Sequence, residues 1–165
     1  MRRRRNLGQK QLVDPWETLH PPIRARLERG WPGLFREELL PGLPVELLAD
    51  RYAKERFGRP GKDLYTLLGM ALLQQVFDLT DVETVDALAG NLYWHFALDL
   101  PNGADSGEAY VCERVLWDVQ RRLTTACEDA GGDIFNTLTG RLIVHFGVDP
   151  SRQRIDGTHV QSDMA

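Results

Sequence analysis

With 165 residues, 42% hydrophobic and 27% charged, the chain can fill one ordinary core and is neither a disordered nor a collagen-like composition. Its net charge of −4 argues against a general nucleic-acid coat. Its two cysteines, Cys112 and Cys127, have no C-x-x-C pairing or histidine spacing of the kind that holds zinc.

The first 60 residues are broken by seven prolines, from Pro15 to Pro60, which permit only short helices with tight joints. Asp14-Pro15 is a helix start, an acid at the cap and proline at the first helical position. Pro44 can start another helix over 45–57, with Leu47, Leu48, Tyr52 and Phe57 as an uneven apolar stripe and Gly58 as its stop.

After Arg59-Pro60-Gly61 comes the most apolar run, LYTLLGMALLQQVF (64–77). Leu64, Leu67, Leu68, Ala71, Leu72 and Val76 follow helical spacing, and Leu73 and Phe77 make the helix apolar nearly all round. Such a helix belongs at the centre of a bundle. At 14 residues with two glutamines, it is too short to cross a bilayer. MRRRR is followed by polar residues, not by the apolar segment of a signal peptide, so the expected location is cytoplasmic without a membrane partner.

Thr80 and Glu83 have capping-box spacing for a helix over 79–91, with Val82, Val85, Leu88 and Ala89 as its inner face. NLYWHFALDL (91–100) reads as a short aromatic helix, and 101–108 as a loop. A long helix is expected over 109–126, with Val111, Val115, Leu116, Val119 and Leu123 inward and Glu113, Arg114, Asp118, Arg121 and Arg122 outward. Gly131-Gly132 breaks the chain, Asp133 caps a last helix through Phe146, and QRID (153–156) is the one strand. The fold expected is mainly α: a basic flexible tail (1–13), a helical domain (14–148), and a C-terminal stretch (149–165) holding one strand.

Asp156 ends that strand. A carboxylate fixed there suits a hard metal ion, and in two-metal phosphoryl transfer such an acid bridges both ions. By its residues alone, however, the better reading is a surface aspartate opening a turn before Gly157.

The segment RIDGTHVQSDMA (154–165) resembles the surroundings of the first catalytic aspartate in bacterial insertion-sequence transposases of the DDE class. Their pattern is D-S-T-H-V followed by Q-S-N-M-A, and this chain keeps Asp156, Thr158, His159, Val160, Gln161, Ser162, Met164 and Ala165. It departs at Gly157 and Asp163. Upstream, residues 57–100 are similar to the InsH-type N-terminal domain of these enzymes. The matching positions are Gly58, Arg59, Pro60, Leu79, Thr80, Asp81, Glu83, Asn91, Leu92 and Trp94. ERVLWDVQRRL (113–123) stands where the family has a helix of the F-R-x-R-L kind, with tryptophan for the usual aromatic.

The resemblance implies an RNase H-like domain beginning near Asp156, magnesium in the complete enzyme, and a second aspartate and a glutamate further on. One carboxylate cannot hold two magnesium ions in reactive geometry. The expectation is therefore a truncated transposase that is not an enzyme by itself and binds no cofactor alone. It would contribute DNA binding at the element's terminal inverted repeats, or multimerisation with itself or with full-length transposase. The alternatives are a helical protein–protein module or an inert remnant without DNA binding, and, as a third reading, a small metal-dependent nuclease.

Charge placement bears on the partner. Residues 1–60 carry 13 Lys/Arg and 8 Asp/Glu, a net of +5, whereas residues 61–165 carry 7 and 16, a net of −9. Arg2, Arg3, Arg4 and Arg5 form a run that reads as a solvated tail or as a phosphate contact without sequence preference. Arg51, Lys54, Arg56, Arg59 and Lys62 are the densest basic group elsewhere, interleaved with Glu46, Asp50, Glu55 and Asp63. Tyr93, Trp94 and Phe96 could stack on bases, but their leucine neighbours favour core packing.

Overall fold

The computed structural model describes residues 14–49, 62–100 and 107–130, together with Leu7. These are helical throughout, joined by short turns, and no strand occurs among the described residues. The mainly α expectation holds. The helix expected over 133–146, the strand at 153–156, and most of the helix expected over 45–57 lie outside the described residues.

The proline-rich front folds as a chain of short turns. Asp14 accepts the Trp16 amide at 3.1 Å and caps a single 3-10 turn, Pro15–Thr18. The turn cannot propagate. His20 precedes Pro21 and is extended (φ −54°, ψ 129°), as a residue before proline is compelled to be. Helix α1 (Pro21–Arg29) then runs to Gly30, and α2 (Trp31–Leu34) passes through a π-helical turn, Phe35–Leu39, into a 3-10 turn, Leu40–Gly42. Helix α3 is Glu46–Ala49.

Helix α4 (Leu64–Phe77) is the centre of the molecule, as its all-round apolar surface predicts. Its cap is Asp63, only 2% exposed, which accepts both the Thr66 amide (3.0 Å) and the Thr66 hydroxyl (3.2 Å). Leu64 through Ala71, Leu73 and Gln74 are buried. Each fully buried leucine stabilises the fold by about 2 kcal/mol. Asp78 ends the helix in the left-handed region (φ 51°), which an aspartate tolerates better than a branched residue.

Against α4 pack α5 (Asp81–Gly90) and α7 (Glu113–Ala130), while α6 (Leu92–Ala97) packs on α2 and α5 and reaches α4 through Trp94 and Phe77. Leu88, Trp94, Leu98, Val111, Leu116 and Val119 complete the main core with Phe35, Leu40, Leu43, Val45 and Leu48 from the front of the chain. A smaller cluster of Trp16, Leu27 and Phe96 fastens the first turn to α6. Trp16 meets Phe96 edge-on at 5.1 Å. Asp99 Oδ1 accepts from Trp16 Nε1 (3.2 Å) and pairs with Arg36 Nη2 (2.8 Å), while the Arg36 guanidinium lies 4.8 Å from the Phe96 ring centre.

Three sequence expectations need correction. Val76 is 56% exposed, because the last turn of α4 projects past the helices packed on it. On α5 the inner face is Thr84 and Leu88, with Val85 half-buried. Val82 (54% exposed) and Ala89 face outward, since a helix on a bundle's rim buries only a narrow stripe. Helix α7 begins four residues later than expected, after a 3-10 turn at Gly107–Ala109, and continues four residues further. The inward set of Val111, Leu116 and Val119 is as expected, with Val115 and Leu123 half-buried against it.

Candidate functional site

Of the basic residues proposed for DNA contact, Lys62 alone is described. It is half-buried at the entrance to α4 and already engaged within the protein. Arg2, Arg3, Arg4, Arg5, Arg51, Lys54, Arg56, Arg59 and Asp156 lie outside the described residues. Among the described residues no group of three or more His, Cys, Asp or Glu is gathered as a metal cradle.

What the described residues do bring together is the motif positions of 79–94, and all but the partly exposed Leu92 have a structural task. The Thr80 hydroxyl accepts the Glu83 amide (3.3 Å), and Glu83 reaches back to the Thr80 amide (2.8 Å) and hydroxyl (2.7 Å). This is the capping box read from the sequence. The hydrogen bonds from the Thr80 hydroxyl, then the Thr80 amide, hold the Glu83 carboxyl below its ordinary range.

Asp81 stands between three helices. Its Oδ1 accepts from Gln74 Nε2 of α4 (2.8 Å) and from Gln120 Nε2 of α7 (3.2 Å). Gln120 Nε2 also donates to Gln74 Oε1 (2.6 Å). Gln74 is 4% exposed, so this triad satisfies polar atoms that would otherwise be stranded in the core. It also fixes the register of α4, α5 and α7 against one another. The sequence reading gave neither Gln74 nor Gln120 a part in joining helices. A glutamine within an apolar helical run is the signal that could have marked Gln74, but its partner 46 residues away could not be read from it.

Asn91 caps α6 by accepting the Tyr93 amide (2.9 Å), and Trp94 is buried in the main core. His95 is 5% exposed, with Nε2 2.6 Å from the Leu88 carbonyl oxygen. Trp94 and Phe96 are core, not a stacking platform, and Tyr93 is half-buried. At the outer end of α4, however, Phe77 (42% exposed) lies against Trp31 at 5.0 Å, and Trp31 stacks on Tyr93 at 6.3 Å. These rings form an aromatic rim.

The match to known families falls on this part of the molecule. Residues 35–106 match the model of the Transposase domain (DUF772) family, which runs from the π-helical turn through α6. That stretch is similar to a transposase domain. No curated protein and no solved structure was found to match the chain. Within the transposase domain, the ordered motif positions that are described serve as caps, a cross-helix acceptor and core, with the partly exposed Leu92 the exception. Helix α7 lies beyond the matched residues but closes the domain through Leu116, Val119 and the Gln120 triad. No helix among the described residues is long and apolar enough to cross a membrane.

Proposed function

We propose that the chain is the N-terminal part of an InsH-type insertion-sequence transposase, whose helical domain contributes DNA binding or multimerisation to DNA transposition. The observation that carries this reading is the transposase-domain match at residues 35–106, in the same stretch as the ordered motifs from Gly58 to Trp94. DNA contact is proposed for the basic positions of the front half: the arginines at 2–5, then Arg51, Lys54, Arg56, Arg59 and Lys62. The net +5 of residues 1–60 supports this placement. Asp156 is proposed as the first acid of a DDE set that uses magnesium in the complete enzyme. Strand cleavage is not expected from Asp156 alone, because two-metal chemistry needs several carboxylates around the ions.

An electrophoretic mobility shift against the element's terminal inverted repeats, with scrambled duplex as control, tests the DNA part. Retarded repeats with free scrambled duplex at moderate salt would support it. Equal retardation at low salt and none at moderate salt would reduce it to counterion release by a basic tail.

A second reading, a helical protein–protein module without a DNA role, is favoured by the net −9 of residues 61–165. Co-elution with full-length transposase in the absence of DNA, together with no shift of either duplex, would favour it.

A further inference from the structure

Helix α7 is amphipathic twice over. One side buries Leu116, Val119 and Ala126. On the other, Arg114, Trp117, Arg121, Thr124 and Glu128 recur at alternating steps of three and four residues, and all five are exposed. That spacing lines the five up as one outer seam of the helix, with Trp117 its one large apolar side chain. Trp117 is 57% exposed, and the Arg121 guanidinium lies 5.3 Å from its ring centre. Arg121 shares Asp118 (3.4 Å) with Arg122, which holds the same carboxylate at 2.9 Å. Arg114 and Glu128 have no ion-pair partner among the described residues. They lie seven residues to either side of Arg121, two turns each way.

We propose that this outer seam of α7 pairs antiparallel with the same seam of a second copy of the chain, each Arg114 facing the other copy's Glu128. The proposal rests on the multimerising part of the function proposed above and assigns it a surface.

The charges select both occupant and direction. A parallel pairing would set Arg114 against Arg114 and Glu128 against Glu128. An antiparallel pairing about a two-fold axis near Arg121 makes two opposite-charge pairs, because a two-fold contact repeats each pair in reverse. The two Arg121 side chains then meet at the axis, each resting on its own Trp117 and sharing its Asp118 with Arg122. A nucleic-acid backbone fits less well. Helix α7 carries three arginines against Glu113, Asp118, Glu128 and Asp129, and its C-terminal third would repel phosphate. Exposed tryptophan and arginine together are also the residue types that dominate protein–protein contacts.

The contact is small. An 18-residue helix is about 27 Å long, and a strip about 10 Å wide along it falls below the usual size of a stable interface. The expected association is weak, with a dissociation constant on the order of 10–100 μM, the range of small transient contacts.

Sedimentation of the full chain from about 10 μM to 1 mM, spanning the weak range, tests the pairing in four forms: wild type, Arg114→Glu, Glu128→Arg, and both together. The wild type should self-associate. Each single reversal should weaken association by about tenfold or more, because it creates like-charge pairs at both ends of the two-fold contact. The double reversal should restore it. Arg114→Gln and Glu128→Gln should shift association in the same direction by less, with circular dichroism confirming intact helices.

A wild type that stays monomeric throughout would overturn both this pairing and the multimerising part of the proposed function. Self-association that ignores the single reversals, or that the double reversal does not restore, would overturn this surface while leaving multimerisation standing. Weaker duplex binding by Arg114→Glu with unchanged self-association would assign the seam to phosphate contact and overturn the pairing.

Discussion

Replacing Asp81 by alanine removes the acceptor on which α4, α5 and α7 converge. Gln74, 4% exposed, loses the 2.8 Å bond from its amide nitrogen and keeps only its carbonyl contact to Gln120. Leaving a buried amide donor unpaired costs about 1–3 kcal/mol. Gln120 is half-exposed and recovers its own lost bond from water, so it adds little. Losing an acid in the first turn of α5 adds about 0.3–1 kcal/mol. The expected loss is therefore about 1–4 kcal/mol, a sizeable share of the 5–15 kcal/mol that separates a typical domain from its unfolded state.

Urea unfolding followed by circular dichroism measures it as a lower midpoint at unchanged slope. A second substitution, Gln74→Met, should recover part of the loss, because it removes the stranded donor and fills a core position with an apolar chain of similar size. A loss below about 1 kcal/mol for Asp81→Ala, or strict additivity of the two substitutions, would refute the triad as a stabilising unit.

Further perturbations probe the remaining joints. Thr80→Ala should cost about 1 kcal/mol as the loss of an N-cap, read as a lower denaturation midpoint. In the wild type Glu83 is held below its ordinary carboxyl range in the folded state. Its contribution is present above the unfolded value near 4.5 and is lost as pH falls through the lower folded value. Acid titration of stability should show this loss, and Glu83→Gln should flatten it. Gly33→Ala should destabilise despite alanine's better helix propensity. A Cβ there would overlap the Glu28 carbonyl oxygen, with the Glu28 carbonyl carbon at 2.8 Å and Cα at 2.9 Å, and backbone cannot step aside. Asp99→Ala should free Trp16 and Arg36 together, seen as greater quenching of tryptophan fluorescence by acrylamide and a lower midpoint.

The helical architecture was legible because its signals are local. The apolar run of α4 and the Thr80–Glu83 spacing act through near neighbours in the chain, and each is found where periodicity and capping place it. Outward-facing Val76 and Val82 were not legible, since periodicity gives a stripe but not how much of it a neighbour covers. The Gln74–Asp81–Gln120 and Trp16–Arg36–Asp99 groups join residues far apart in the chain, and no short-range pattern announces such pairings. Of the candidate site, the sequence located basic positions by charge density. Density alone does not say which cations face a ligand, and Lys62 is half-buried beside the α4 cap. The motif residues also proved ambiguous in kind: Asp81 and Trp94 can look functional in a list of matches, yet they support the scaffold on which contacts would be displayed.

The central claim is that this transposase domain serves DNA recognition or assembly in transposition. Fluorescence anisotropy of a labelled terminal-repeat duplex tests its DNA part most directly, with the full chain titrated across about 0.05–0.2 M salt against scrambled duplex. A preference for the terminal repeat that persists as salt rises is the predicted result. Identical affinities for the two duplexes, vanishing together with salt, would contradict sequence-selective recognition by this chain.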